Sequence, residues 1–142
     1  MQRYRSKISG PLLDRIDIQV EVPRVNFETL SIEEESITSE VIRARVNRAR
    51  AIQAQRYASS QMNTICNSSM SPTDLREHCK LDSHSRDILR QSFDVLGLSA
   101  RAHDRILKVA RTIADLEEKE QIQMEHIAEA IQYRTLDRKF WE

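Results

Sequence analysis

Two arginines stand where arginine can do chemistry. Ser99-Ala100-Arg101 opens a predicted helix, with the serine as cap and the arginine in the first turn. Backbone N–H groups at that end make the field positive, so a cation there is disfavoured by roughly 0.3–1 kcal/mol and an anion favoured by a similar amount. A chain selected for stability alone prefers Asp or Glu at this position. An arginine fork beside unpaired backbone donors is a receptor for phosphate. From spacing alone, a solvated arginine, or one paired with Asp104 three residues on, is the simpler reading.

The second is Arg15, which follows the turn signal Gly10-Pro11 and precedes Ile16, Ile18, Val20 and Val22, apolar residues alternating with Asp17, Gln19 and Glu21. A period of two predicts a strand with one buried face, ended by Pro23. No second strand pattern follows, and a lone strand cannot satisfy its own backbone groups. The expectation is therefore a C-terminal piece of a longer protein, with residues 1–23 the remnant of a missing sheet, disordered or paired with a second copy. Taken on its own, Arg15 reads as a surface ion pair with Asp14 or Asp17, worth about 0–1 kcal/mol.

Other charged groups form weaker patterns. Arg43, Arg45, Arg48, Arg50 and Arg56 follow a run of glutamates and could present a basic face to nucleic acid. Tyr57 is the only aromatic residue close by, which makes a poor stacking platform. His78, Cys79 and His84 lack metal-ligand spacing. Cys79 reads as a small buried hydrophobe, and His103 and His126 as partly buried helix residues with satisfied nitrogens. The chain's only glycines are Gly10 and Gly97, so no Gly-x-x-x-x-Gly-Lys-[Ser/Thr] loop exists to cradle phosphates. No hydrophobic strand ends in Asp-Glu to hold Mg²⁺, and hydrolysis of ATP by this chain alone is not expected.

These residues must be positioned by helices. Aromatic content of 5% with 2 Gly and 3 Pro in 142 residues weighs against an all-β fold. Residues 24–38 read as a linker, and the first helix starts near residue 32 or at Ser39 and runs to about Tyr57, with Ile42, Val46, Ala49 and Gln53 on one face. Residues 58–71 read as loop. Ser71-Pro72-Thr73-Asp74 opens a short helix ending near Lys80. Asp82 or Ser83 caps the next, whose face is Ile88, Leu89, Phe93 and Leu96 and whose end is Gly97. The helix after Ser99 carries the strongest stripe: Ala102, Ile106, Val109, Ile113 and Leu116. A polar break at residues 117–121 precedes a last helix bearing Met124, Ile127, Ala128 and Ile131. The predicted fold is all-α, a small helical bundle over residues 39–142. Charges balance at 22 against 22, which gives no bulk attraction to nucleic acid or membrane. No apolar run approaches the ~20 residues that span a bilayer. Two cysteines suit a reducing cytoplasm.

Three blocks in order carry a family resemblance: Ile8-Ser9-Gly10-Pro11-Leu12-Leu13-Asp14-Arg15-Ile16-Asp17-Ile18, then Leu98-Ser99-Ala100-Arg101-Ala102-His103-Asp104-Arg105-Ile106-Leu107 with the helix it begins, then Glu125-His126-Ile127-Ala128-Glu129-Ala130-Ile131-Gln132-Tyr133-Arg134. The chain resembles the C-terminal part of the Mg-chelatase-related AAA+ ATPases, a bacterial competence-associated group similar to the minichromosome maintenance helicases. The resemblance implies that residues 39–142 are the helical lid and residues 1–23 a turn and strand from the α/β ATPase core. It implies that Arg101 is the sensor-2 arginine reading the terminal phosphates, and that Arg15 is an arginine finger acting in trans on a neighbouring subunit's ATP. It implies ATP and Mg²⁺ as cofactors of the full-length protein, a ring of subunits (a hexamer) as partners, and work on DNA of the branch-migration or helicase type. The reading from another class is a free-standing helical adaptor that binds protein or nucleic acid through residues 41–57.

Overall fold

The computed structural model describes residues 15–22, 37–58 and 64–134. The Gly10-Pro11 turn, most of the expected linker and the earlier of the two expected helix starts lie outside these residues. Among the described residues every regular element is helical: α1 (Ser39–Tyr57), a single 3-10 turn (Asn67–Ser69), α2 (Pro72–His78), α3 (Ser83–Leu96), α4 (Ala100–Leu116) and α5 (Met124–Gln132). The all-α bundle is what the structure shows.

Helices α1 to α4 each start where a side chain takes over an orphaned N–H group. Thr38 Oγ1 accepts from Val41 N at 3.4 Å, which makes Ser39 the start of α1. Ser71 and Asp74 cap α2 reciprocally, with Asp74 N donating to Ser71 Oγ at 3.2 Å and Ser71 N to Asp74 Oδ2 at 2.8 Å. Asp82 Oδ1 accepts from Ser85 N at 2.7 Å, and Ser99 Oγ from Ala102 N at 3.2 Å. Gly97 ends α3 at φ 61°, the left-handed conformation that glycine adopts without strain.

The caps carry a pH dependence. Asp74 is held below the usual carboxylate range by the Ser71 N–H and then by the Thr64 and Ser71 hydroxyls, and Asp82 chiefly by the Ser85 N–H. A carboxyl lowered in the folded state stabilises at pH above its unfolded value, and that stabilisation disappears as pH falls through the lowered value. Thermal melts should therefore hold steady above about pH 5 and decline below about pH 4. Asp74→Asn with Asp82→Asn should flatten this acid limb; an unaltered slope would exclude the two caps as its source.

The core gathers around α4, which packs on α5, α1, α2 and the 3-10 turn, while α3 closes over α5. Ile106, Ala110, Ala114 and Ile127 are completely buried, joined by Leu75, Leu89, Ile122 and Ile131. Ala110 and Ala114, a turn apart with minimal side chains, let neighbouring elements approach the α4 backbone closely. The expected stripe on α1 is only half used. Ala49 and Gln53 are buried with Tyr57, whereas Ile42 and Val46 are 52% and 36% exposed, so the first turns of α1 extend past the described core.

Residues 15–22 depart from expectation. They lie extended on the bundle, Gln19 N donating to Tyr133 O at 3.0 Å, but form no strand. Residues 1–14 and 23 of the expected remnant lie outside the described residues. The apolar face expected to be buried is exposed, and of residues 15–22 only Gln19 is covered in part. Gln19 is half-buried, while Ile18, Val20 and Val22 are 52%, 64% and 81% exposed. A strand requires a ladder on at least one edge, and no partner strand exists among the described residues.

Candidate functional site

Arg101 is exposed in the first turn of α4, beyond the Ser99 cap. The expected pairing with Asp104 is not made: Asp104 Oδ1 instead meets His103 Nδ1 at 3.1 Å, and the His103 ring sits edge-on to Phe93 with centroids 5.8 Å apart. Among the described residues Arg101 has no ion-pair partner. Arg105 and Lys108 follow it at helical spacing, and the three line a cavity of about 310 Å³ with Asp17, Ser68 and Asp104. Lys108 Nζ donates to Ser68 O at 3.0 Å, and Arg105 pairs with Asp17. Arg101 is thus the uncommitted cation of the row, beside the N–H groups that any helix leaves unpaired at its start. With Asp17 and Asp104 in the same lining, Arg101 is the group of this row left open to an anion.

Arg15 is exposed at the turn that begins the extended segment. Asp17, one of its two expected partners, is engaged by Arg105 instead, and Asp14, the other, lies outside the described residues. Ile16, next to Arg15, accepts through its carbonyl oxygen from the guanidinium of Arg134, which is 1% exposed. The structure therefore brings the Arg15 segment onto α4 and α5.

Arg43, Arg45, Arg48 and Arg50 are all exposed on α1. Arg48 Nε meets Glu118 Oε1 at 2.8 Å with both side chains 56% exposed, a pair worth about 0–1 kcal/mol. The fifth arginine of the expected basic face is elsewhere. Arg56 turns inward, so the surface patch holds four arginines and not five.

That inward turn leads to a buried polar network the sequence reading missed. Asp115, with 0% exposure, accepts from Arg56 Nη1 at 2.8 Å, Arg111 Nε at 3.1 Å and Asn67 Nδ2 at 2.8 Å. Asn67 Oδ1 accepts from Tyr57 Oη at 2.9 Å and Arg56 Nη1 at 3.0 Å, and its N–H reaches Gln53 Oε1 at 3.1 Å. Arg111 also donates to Glu120 O at 2.8 Å and Lys119 O at 2.5 Å, pinning the break after α4, where Glu118 takes φ 58°. The hydrogen bond to Asp115 raises Arg56 above its usual range, burial lowers Arg111, and burial of Tyr57 pushes its phenol up to about 12. The available signal was Arg111 and Asp115 four residues apart, beside the apolar stripe of the helix. The network ties α1, the 3-10 turn and α4 together; its groups are engaged chiefly with one another, and Arg56 and Arg111 also line an open cavity of about 480 Å³.

The remaining expectations concern single residues. His126 is 1% exposed with both nitrogens engaged, Nδ1 accepting from Gln123 N at 2.9 Å and Nε2 lying 3.1 Å from Glu117 Oε2. Cys79 is buried as a small apolar group, its thiol pushed up to about 11 by burial. Among the described residues no group of His, Cys, Asp and Glu could hold a metal ion, and no helix is long and apolar enough to cross a membrane.

Comparison with known proteins decides the family. Residues 36–134 match the model of the magnesium chelatase subunit ChlI C-terminal domain, and residues 1–30 match that of magnesium chelatase subunit ChlI. The chain belongs to the Mg-chelatase-related family. It is 39% identical over 139 residues to competence protein ComM of Haemophilus influenzae, 97% of this chain and 26% of that protein. It is 38% identical to the Escherichia coli protein YifB over 96% of this chain, and 36% identical to the Mycobacterium bovis protein Mb2921c over 94%. In each case it spans 26% of the relative's length. The family is ATPase-related, and the matched C-terminal model contains α1 to α5 with the Arg101 end of α4.

Proposed function

We propose that residues 39–142 work as the helical lid of an oligomeric cytoplasmic AAA+ ATPase, with residues 1–23 belonging to its α/β core. One observation carries the reading: Arg101 is an exposed cation held against an unfavourable helix field, heading a row of three cations and uncommitted to any carboxylate among the described residues. A group so placed is explained by the anion it receives. In this reading the terminal phosphates of ATP meet Arg101, and the phosphate-binding loop and the Mg²⁺ carboxylates come from the ATPase core outside this chain. Arg15 faces the ATP of a neighbouring subunit in the ring, a hexamer. Its guanidinium would stabilise charge that develops on the γ-phosphate. DNA is the substrate of the assembly, in branch migration or unwinding, a reading favoured by the relative that bears the name competence protein.

The test is ATP turnover by the full-length protein with and without branched DNA. Arg101→Ala should reduce turnover by about 10- to 100-fold, the loss of one charge-assisted contact in the transition state. The same substitution should alter folding stability by no more than about 0.5 kcal/mol, because the side chain is solvated. Equal turnover by the variant and the wild type would remove the sensor role. A second reading, a helical adaptor, draws on the exposed Arg43, Arg45 and Arg50 beside the uncovered Val41 and Ile42 of α1. Retained turnover in Arg101→Ala, with DNA affinity lost when those arginines are replaced by alanine, would favour it.

A further inference from the structure

We propose that Asp17, Arg105 and Arg134 are positioning residues that clamp the Arg15 segment to the lid, so that Arg15 and Arg101 move as one body. The inference rests on the roles given to those two arginines above and adds the mechanical link between them. Three contacts fall directly after Arg15. The Ile16 carbonyl oxygen accepts from Arg134, the Asp17 carboxylate pairs with Arg105, and Gln19 N donates to Tyr133 O at 3.0 Å. Arg105 lies one helical turn beyond Arg101 on the same face of α4. Arg134, just past α5, is 1% exposed. Removing a guanidinium from water carries a large desolvation cost, so a buried arginine spent on a main-chain carbonyl marks a contact that the fold maintains.

The consequence is directional. A phosphate chain that draws α4 toward it through Arg101 also draws Asp17, through Arg105, and with it the residue two positions earlier. Nucleotide occupancy at one site would then set the reach of Arg15 toward the next subunit, with no separate signalling element. Ile18 and Val20 line an open cavity of about 400 Å³ with Val109 and Ile113 of α4 yet stay 52% and 64% exposed, so the attachment falls chiefly to the backbone of the segment and its aspartate.

Hydrogen exchange on this chain tests the clamp. Asp17→Lys and Arg105→Glu should each accelerate exchange of the Gln19 amide by about three- to tenfold, and the double swap should restore protection. The amides of Ala110 and Ala114 in α4 serve as the stability control and should not change. A Gln19 amide that exchanges freely in the wild type, or that ignores the single reversals, overturns the clamp. Turnover by the full-length protein tests its purpose. Asp17→Asn should lower kcat while leaving KM for ATP in place, and should add no further loss in an Arg15→Ala background. Normal kcat in Asp17→Asn beside a disabled Arg15→Ala, or equal losses in both backgrounds, overturns the coupling. Unchanged turnover in Arg15→Ala itself would instead remove the finger role, leaving exchange at Gln19 to decide the clamp.

Discussion

Asp115→Ala should destabilise the bundle by about 3–5 kcal/mol, the range seen when one partner of a buried ion pair is removed. Asp115 has no exposure and serves two guanidinium groups, Arg56 at 2.8 Å and Arg111 at 3.1 Å. Without it, Arg111 keeps the carbonyls of Lys119 and Glu120 but no counter-charge, and Arg56 keeps Asn67. Neither guanidinium can lose its proton to escape the penalty. For a domain near this size, such a loss corresponds to a fall of at least about 12 °C in Tm. Asp115→Asn should fall between, since the amide oxygen still accepts one hydrogen bond but the charge is gone. The exposed pair Arg48–Glu118 is the internal control: Glu118→Ala removes a surface contact worth about 0–1 kcal/mol. Urea denaturation of the three variants gives the answer. A loss below about 1 kcal/mol for Asp115→Ala would mean that the arginines relax outward to water, and that the network is not what joins α1 to α4.

The second large effect belongs to Arg15. In the full-length protein, Arg15→Ala should lower ATP turnover on the order of 10³-fold, the low end of what an arginine finger supplies to phosphoryl transfer. The loss should appear in kcat, because the group acts on charge present only in the transition state. Stability should hardly respond, since Arg15 is exposed and has no ion-pair partner among the described residues. The proposed role is in trans, so mixing supplies a distinctive result. Subunits with Arg15→Ala, mixed with subunits whose phosphate-binding loop is disabled, should recover part of the turnover that neither shows alone. Mixed rings as inactive as the pure variants would show that Arg15 does not act across a subunit boundary.

Much of this molecule is written in short-range pattern. Ser71, Asp82 and Ser99 stand one residue before their helices and make the capping bonds that their positions imply. Gly97 adopts the left-handed conformation that ends α3, and the α4 stripe points to the core as its spacing requires. Capping, termination and amphipathic periodicity depend on residues within about one turn of each other, so one chain is enough to read them. Arg101 could be placed at its helix start on the same grounds.

Contacts between distant residues followed other rules. Arg56 is indistinguishable by type from Arg43, Arg45, Arg48 and Arg50, yet it alone of the five reaches Asp115, 59 residues away. Asn67, in a stretch whose composition reads as surface loop, is 2% exposed and holds that pairing in place. Asp17 chose Arg105 over its neighbour Arg15, and Ile42 and Val46 lack the cover that Ala49 and Gln53 of the same stripe obtain. Caps and stripes arise from local geometry, which residue identities specify within a turn. The partner of a charge, and the half of a stripe that becomes core, depend on which elements meet after the chain has folded, a balance of burial and desolvation over long separations that no local spacing encodes.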